Sequence, residues 1–121
     1  MTETPTALNH LTQKLDRPIL LNDLTTIATQ HQLTEISLFG SILRDDFRPD
    51  SDIDILIDFH PDATPTFTTL DRLQADLEAL FDRRVDLVTR DGIAHSRNHL
   101  RRHEILSSSQ PIYVSRSTVS A

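Results

Sequence analysis

The period of the apolar positions changes along this chain, and the changes mark its elements. Leu20, Leu24, Ile27, Ala28 and His31 recur at helical spacing, and Pro18 suits the first turn of that helix. His31, near its end, reads as a cap or partly buried residue rather than a ligand. Glu35 to Phe39 then alternates as a strand does and meets Gly40, after which Ser41 opens a short helix to about Asp45. A loop containing Pro49 leads to a second strand, Asp52 to Phe59. Side chains two apart on a strand share a face, so Ile53, Ile55, Ile57 and Phe59 form one apolar face for the core. The turn-rich segment His60 to Pro65 launches the longest helix, with Thr64 expected as its N-cap, Pro65 at its first position and Leu70, Leu73, Leu77, Leu80 and Phe81 as its buried stripe. A third strand over Arg84 to Thr89, an Asp91-Gly92 turn and a final helix to about Leu106 follow. Ser107-Ser108-Ser109 breaks the pattern, and Ile112-Tyr113-Val114 adds a short edge strand.

This order predicts an α/β (α+β) domain with one small mixed sheet and helices packed on one face. The expected division is a polar segment 1–17, frayed or partly helical, a domain over 18–114, and a disordered end over 115–121. A length of 121 residues accommodates one domain with a modest core, not a catalytic domain plus a substrate-binding one.

The polar face of the second strand carries the chemistry. Asp52 and Asp54 stand together there, with no Lys or Arg adjacent in sequence, and two neighbouring carboxylates repel each other unless they share a divalent cation. With 14 Asp in the chain, an Asp-x-Asp alone means little. The Gly-Ser pair ten residues upstream carries more weight. Gly40, one of only two glycines, sits where the first strand must turn, and it lets the backbone approach a ligand closely. Ser41 offers a hydroxyl and an N–H at the start of a helix, where phosphate is favoured. Asp86 alternates with Val85 and Leu87; if its strand lies beside the second, it joins Asp52 and Asp54 on one face. Three such carboxylates can hold two Mg²⁺ ions about 3.5–4 Å apart, as metal-assisted phosphoryl or nucleotidyl transfer requires. Arg44 could neutralise phosphate charge, or else pair with Asp45 or Asp46.

Composition narrows the partners. The formal charge of −6 and pI near 5.3 argue against direct, general binding of nucleic acid. Charge is nonetheless uneven: Arg83 to Arg102 holds six arginines against Asp86 and Asp91. Arg97, Arg101 and Arg102, with His95, His99 and His103, are expected on one helix, either as a solvated basic face near its C-terminus or as a docking or triphosphate-steering patch. The absence of cysteine suits a reducing compartment, no apolar run reaches membrane-spanning length, and the first residues lack signal-peptide character, so a cytoplasmic, soluble protein without membrane association is expected.

Gly40-Ser41, ten residues, Asp52-x-Asp54, and some thirty residues later Asp86 in an apolar strand together resemble the polymerase-beta-type nucleotidyltransferases. The short length resembles the minimal nucleotidyltransferases within that superfamily, often the antitoxin half of a two-gene module with a HEPN-domain toxin. The resemblance runs from about Leu33 to Tyr113, and the closing run from Arg101 to Leu106 and Pro111 to Tyr113 also fits. One departure is Asp45-Asp46 after Arg44, where many relatives carry Gly.

The resemblance implies a single nucleotidyltransferase domain using two Mg²⁺ ions on Asp52, Asp54 and Asp86, with ATP at Gly40, Ser41 and Arg44 as donor of AMP. Asp86 would help hold the catalytic metal, and accept or orient the attacking hydroxyl. The implied acceptor is a tyrosine hydroxyl of a HEPN ribonuclease toxin, inactivated by AMPylation within a hetero-oligomer. Two other readings stand beside it: an antitoxin that masks its toxin by binding alone, and a subunit of a small-molecule nucleotidyltransferase of the antibiotic-modifying sort. The three-carboxylate set favours chemistry over masking.

Overall fold

A computed structural model describes residues 5–115 of the chain. The elements run α1 (Thr6–Leu15), α2 (Leu21–His31), β1 (Leu33–Phe39), a 3-10 turn (Gly40–Leu43), β2 (Ile53–Phe59), α3 (Phe67–Phe81), β3 (Val85–Thr89), α4 (Arg90–Ala94), α5 (His99–Ser108) and β4 (Gln110–Val114). The four strands form one mixed sheet in the order β3-β2-β1-β4. β1 runs antiparallel to both β2 and β4, whereas β2 and β3 are parallel and joined by α3 as the crossover helix.

The expected apolar face of β2 is the floor of the main core. Ile53, Ile55 and Ile57 are fully buried, with Ile36 and Leu38 of β1 beside them and α1, α2 and α3 packed above. Leu73, Leu77 and Phe81 supply the buried stripe of α3, flanked by Leu70 and Leu80. A second, smaller cluster lies on the opposite face, where Phe39 and Leu56 meet Ile93 of α4 and Ile105 of α5. Helices therefore cover both faces, not one. The strand alternation conceals this, because Leu56 breaks an otherwise polar face of β2.

Several local expectations are corrected by specific contacts. Residues 6–15, within the segment expected to be polar and frayed or partly helical, form α1, and Ala7, Leu8 and Leu11 bury one face of it. Pro18 does not begin α2: Ile19 is drawn into the core and its N–H reaches the Thr12 hydroxyl at 3.4 Å, so the helix starts at Leu21. Thr66 rather than Thr64 caps α3, accepting the Thr69 N–H at 3.2 Å, so Pro65 precedes the cap. Asp91-Gly92 is not a turn but part of α4, whose cap Thr89 accepts the Gly92 N–H. Ser107 and Ser108 continue α5 by returning their hydroxyls to the carbonyls of His103 and Glu104. The expected disorder over 115–121 lies, from residue 116 on, outside the described residues. Ser115 itself donates its N–H to Thr34 at 2.8 Å. Among the described residues no helix is long and apolar enough to cross a membrane.

Candidate functional site

The site is built where β1 ends and β2 and β3 run side by side. In the parallel register of these two strands Asp54 stands opposite Asp86, flanked by the pairs Ile53–Val85 and Ile55–Leu87. Ile53, Ile55, Val85 and Leu87 of these strands face the main core, so the two carboxylates share the other face. Across β1, Phe39 is the partner of Asp54, and the chain then turns at Gly40.

Gly40 has φ +76°, a left-handed conformation that side chains seldom adopt, and a Cβ there would fall on Asp54 Oδ2. Position 40 thus has two independent reasons to be glycine, one from the backbone and one from the neighbouring carboxylate. Ser41 follows in the 3-10 turn, half-buried, and its carbonyl accepts the Arg44 N–H at 2.9 Å. Lys14 of α1 fixes this turn, donating to the carbonyls of Ile42 at 2.5 Å and Arg44 at 2.6 Å. Further along the loop, Arg83 donates to the carbonyls of Arg48 and Ser51 and stacks over Phe47 at 4.8 Å. The Asp45-Asp46 step is accommodated on the surface, where Asp46 accepts from Arg44 Nε at 3.2 Å.

The electrostatics are those of a crowded acidic site. Asp54 is pushed from the usual 3.8 to about 6, first by burial and then by the charges of Asp86 and Asp52; Arg101 and Arg44 pull it partly back. Asp52 is not unpaired as the sequence suggested: Arg84, one residue before β3, reaches it at 3.5 Å on the surface. An exposed pair of this kind is weak and easily exchanged. Asp86 makes no ion pair among the described residues, since Arg83 is engaged by the loop and Arg84 by Asp52.

Asp54, Asp86, Gly40 and Arg44 line one cleft of about 200 Å³ together with Phe39 and, from α5, Arg101, Glu104, Ile105 and Ser108. Ser41, next to Gly40, and Asp52, two residues before Asp54, lie outside its lining. Among the described residues, no three His, Cys, Asp or Glu side chains converge as a ready-made metal cage. The donor set is nevertheless all carboxylate oxygen, which suits Mg²⁺, and the strain on Asp54 is of the kind that a cation between Asp54 and Asp86 would relieve.

The sequence offered Arg101 as part of a docking or triphosphate-steering patch, but not Glu104, Ile105 and Ser108 of α5 as a wall of this cleft. The signal was present in the spacing of Arg101, Glu104, Ile105 and Ser108, which share one helix face. One of the two readings of the basic cluster set it near a helix C-terminus. In fact α5 begins at His99, with Asn98 as its cap accepting the Arg101 N–H at 3.1 Å, so Arg101 and Arg102 occupy its first turn. His95 and Arg97 precede the helix. His31 ends α2 and binds Asp76 of α3 at 2.7 Å, away from the cleft.

Comparison with known proteins bears on both sequence and fold. Residues 22–110 match the family model described as a nucleotidyltransferase domain. The protein adenylyltransferase MntA of Thermococcus cleftensis is 35% identical over 83 residues, covering 62% of this chain and 82% of that protein. A solved structure described as a minimal nucleotidyltransferase superposes with a TM-score of 0.60 at 28% identity, covering 86% of this chain and 94% of the other. The structure of a tri-AMPylated Shewanella oneidensis HEPN toxin in complex with MNT antitoxin shares the fold, with a TM-score of 0.52 at 21% identity over 82% of this chain and 73% of that one.

Proposed function

The chain belongs to the nucleotidyltransferase domain family, and from that premise we propose that it is an antitoxin protein adenylyltransferase, transferring AMP from ATP to a tyrosine hydroxyl of a cognate HEPN ribonuclease toxin. The observation that carries the chemistry is the Asp54–Asp86 register, with the Gly40 backbone pressed against Asp54. The relatives named above support the acceptor: one is a protein adenylyltransferase, and another solved complex pairs an AMPylated HEPN toxin with this fold.

In the reaction an oxygen–phosphorus bond forms between the acceptor hydroxyl and the α-phosphorus of ATP. The bond from that phosphorus to the bridging oxygen breaks, and pyrophosphate leaves with the electron pair. Asp52, Asp54 and Asp86 would hold two Mg²⁺ ions, which when bound offset charge on the attacking and leaving oxygens. The protein's own groups do the rest. The N–H groups at Gly40-Ser41 and the Ser41 hydroxyl bind phosphate oxygens, and the missing Cβ of Gly40 lets this turn lie directly against the Asp54 carboxylate. Arg44 exchanges its surface contact with Asp46 for a phosphate oxygen. Asp86, exposed and without an ion pair among the described residues, takes the proton from the hydroxyl or orients it. With a cleft of only about 200 Å³, the acceptor is presented by a partner at its mouth and is not enclosed within it.

The test is transfer from α-labelled ATP in the presence of Mg²⁺. Asp54→Asn and Asp86→Asn should each lower the rate by at least about 100-fold while the protein stays folded. Full activity in both would remove the proposed reading of the site.

A further inference from the structure

The basic cluster around α5 separates into three roles. Arg102 is engaged by the fold: it donates to the Ser96 carbonyl at 3.2 Å and meets His99 Nδ1 at 2.6 Å, locking the segment that leads into the helix. Arg97 lies outside the helix and away from the cleft lining. Arg101 alone of the three lines the cleft, together with Gly40, Asp54 and Asp86.

The position of Arg101 is unfavourable for the helix itself. It lies in the first turn of α5, where the dipole presents its positive end and a cation is disfavoured; the turn contains no acidic residue to compensate. It forms no ion pair among the described residues, whereas Arg44, the other guanidinium of the cleft, is shared with Asp46. Its charge acts on Asp54, but only from a distance beyond ion-pair contact. A guanidinium that lines the same cleft as two carboxylates without pairing with either is placed to receive an anionic group that enters the cleft.

We propose that Arg101 is a further substrate-binding residue, taking an oxygen of the nucleotide's phosphate chain from the α5 wall of the cleft. This rests on the nucleotide reading of the site. A polyphosphate is the ligand that fits the guanidinium: its negative charges are repelled by Asp54 and Asp86, and Arg101, lining the same cleft, offsets that repulsion. The planar fork of arginine matches two phosphate oxygens in one fixed geometry, whereas lysine offers a point charge without that fork. In this arrangement the chain is gripped from two sides, by the Gly40–Ser41 turn and Arg44 on one and by α5 on the other. Since Ile105 of the same helix packs on Phe39 and Leu56, the grip is anchored in the second core cluster.

Calorimetry of ATP with Mg²⁺, on the wild-type chain, Arg101→Gln and Arg101→Lys, tests this. Arg101→Gln should weaken ATP binding about 10- to 100-fold, as expected for a lost charge-assisted bond. Arg101→Lys should recover part of the loss. Neither variant should lower the melting temperature of the nucleotide-free protein, because removing a cation from the first turn does not harm the helix. Unchanged ATP affinity in Arg101→Gln, with normal binding by wild type, overturns this inference alone. Weakened binding that tracks a lowered melting temperature, without recovery by lysine, also overturns it and leaves Arg101 a structural residue. Retained ATP affinity with slowed transfer to a protein acceptor would instead assign Arg101 to the partner's docking surface. Failure of the wild-type chain to bind ATP would overturn the nucleotide reading itself, and this inference with it.

Discussion

The backbone of Gly40 lies against the carboxylate of Asp54 so closely that any Cβ at position 40 would collide with Asp54 Oδ2. Two motif residues separated by a loop are therefore one steric unit. The turn has its shape because the carboxylate is there, and the carboxylate holds its position because no side chain displaces it.

Gly40→Ala should accordingly cost about 1–3 kcal/mol of stability, combining a left-handed φ of +76° with the collision, and should also abolish tight ATP binding. Adding Asp54→Ala should restore part of the stability but none of the binding. The two substitutions should then be coupled by about 1 kcal/mol or more in a urea-denaturation cycle. Strict additivity would mean that the contact does not shape the turn.

Asp54 makes the apo protein less stable as pH rises. Its carboxyl titrates near 6 in the fold against about 3.8 in the unfolded chain, so between these values the folded state binds the extra proton. Stability attributable to this group is therefore highest below pH 4 and declines until pH passes 6. In metal-free buffer at pH 7.5, Asp54→Asn should be more stable than wild type by about 1–2 kcal/mol after allowance for solvent screening, or several degrees in melting temperature. The difference should vanish below pH 4. A variant that is less stable at pH 7.5 would show that Asp54 is satisfied in the apo state.

Lys14 joins α1 to the turn after Gly40 through two carbonyls. Lys14→Met should destabilise the fold by about 1–2 kcal/mol and weaken ATP binding, although it lines no part of the cleft. Equilibrium denaturation and calorimetry together check this. Unaltered ATP affinity would show that the turn keeps its shape without α1.

Ser41→Ala should weaken ATP binding by about 1–3 kcal/mol with little change in stability, since the Ser41 hydroxyl supports no other group among the described residues. An unchanged affinity would move the phosphate site away from the turn.

Much of this was legible in the chain because it rests on local pattern. Ile53, Ile55 and Ile57 alternate so cleanly that the buried face of β2, and hence the placement of Asp54 on the opposite face, follow directly. The Gly40 turn was readable from glycine's scarcity. The register that sets Asp86 opposite Asp54 was legible only conditionally, because strand adjacency is a long-range property. The missed features have physical causes. Thr64-Pro65-Thr66 offers two caps, and only Thr66 meets the Thr69 N–H. Pro18 looked like a helix start until the burial of Ile19 against α1 overrode it. The polarity of the basic cluster was inverted because Asn98, an unobtrusive cap, starts α5 just before Arg101. Arg84 lies too close in sequence to Asp86 to suggest that its partner is Asp52, just before the neighbouring strand.

The central claim is chemistry on a partner, and intact mass spectrometry of that partner tests it most directly. A cognate HEPN toxin co-expressed with this chain and separated from it under denaturing conditions should be heavier by about 329 Da, or a multiple, the mass of an AMP residue on a hydroxyl. The Asp52→Asn/Asp54→Asn variant should fold, because both positions lie off the Ile53, Ile55 and Ile57 face, yet leave the toxin unmodified and active at equal dose. A toxin of unchanged mass that is nevertheless neutralised, by the wild-type chain and the double variant alike, would contradict the account and make binding alone the mechanism.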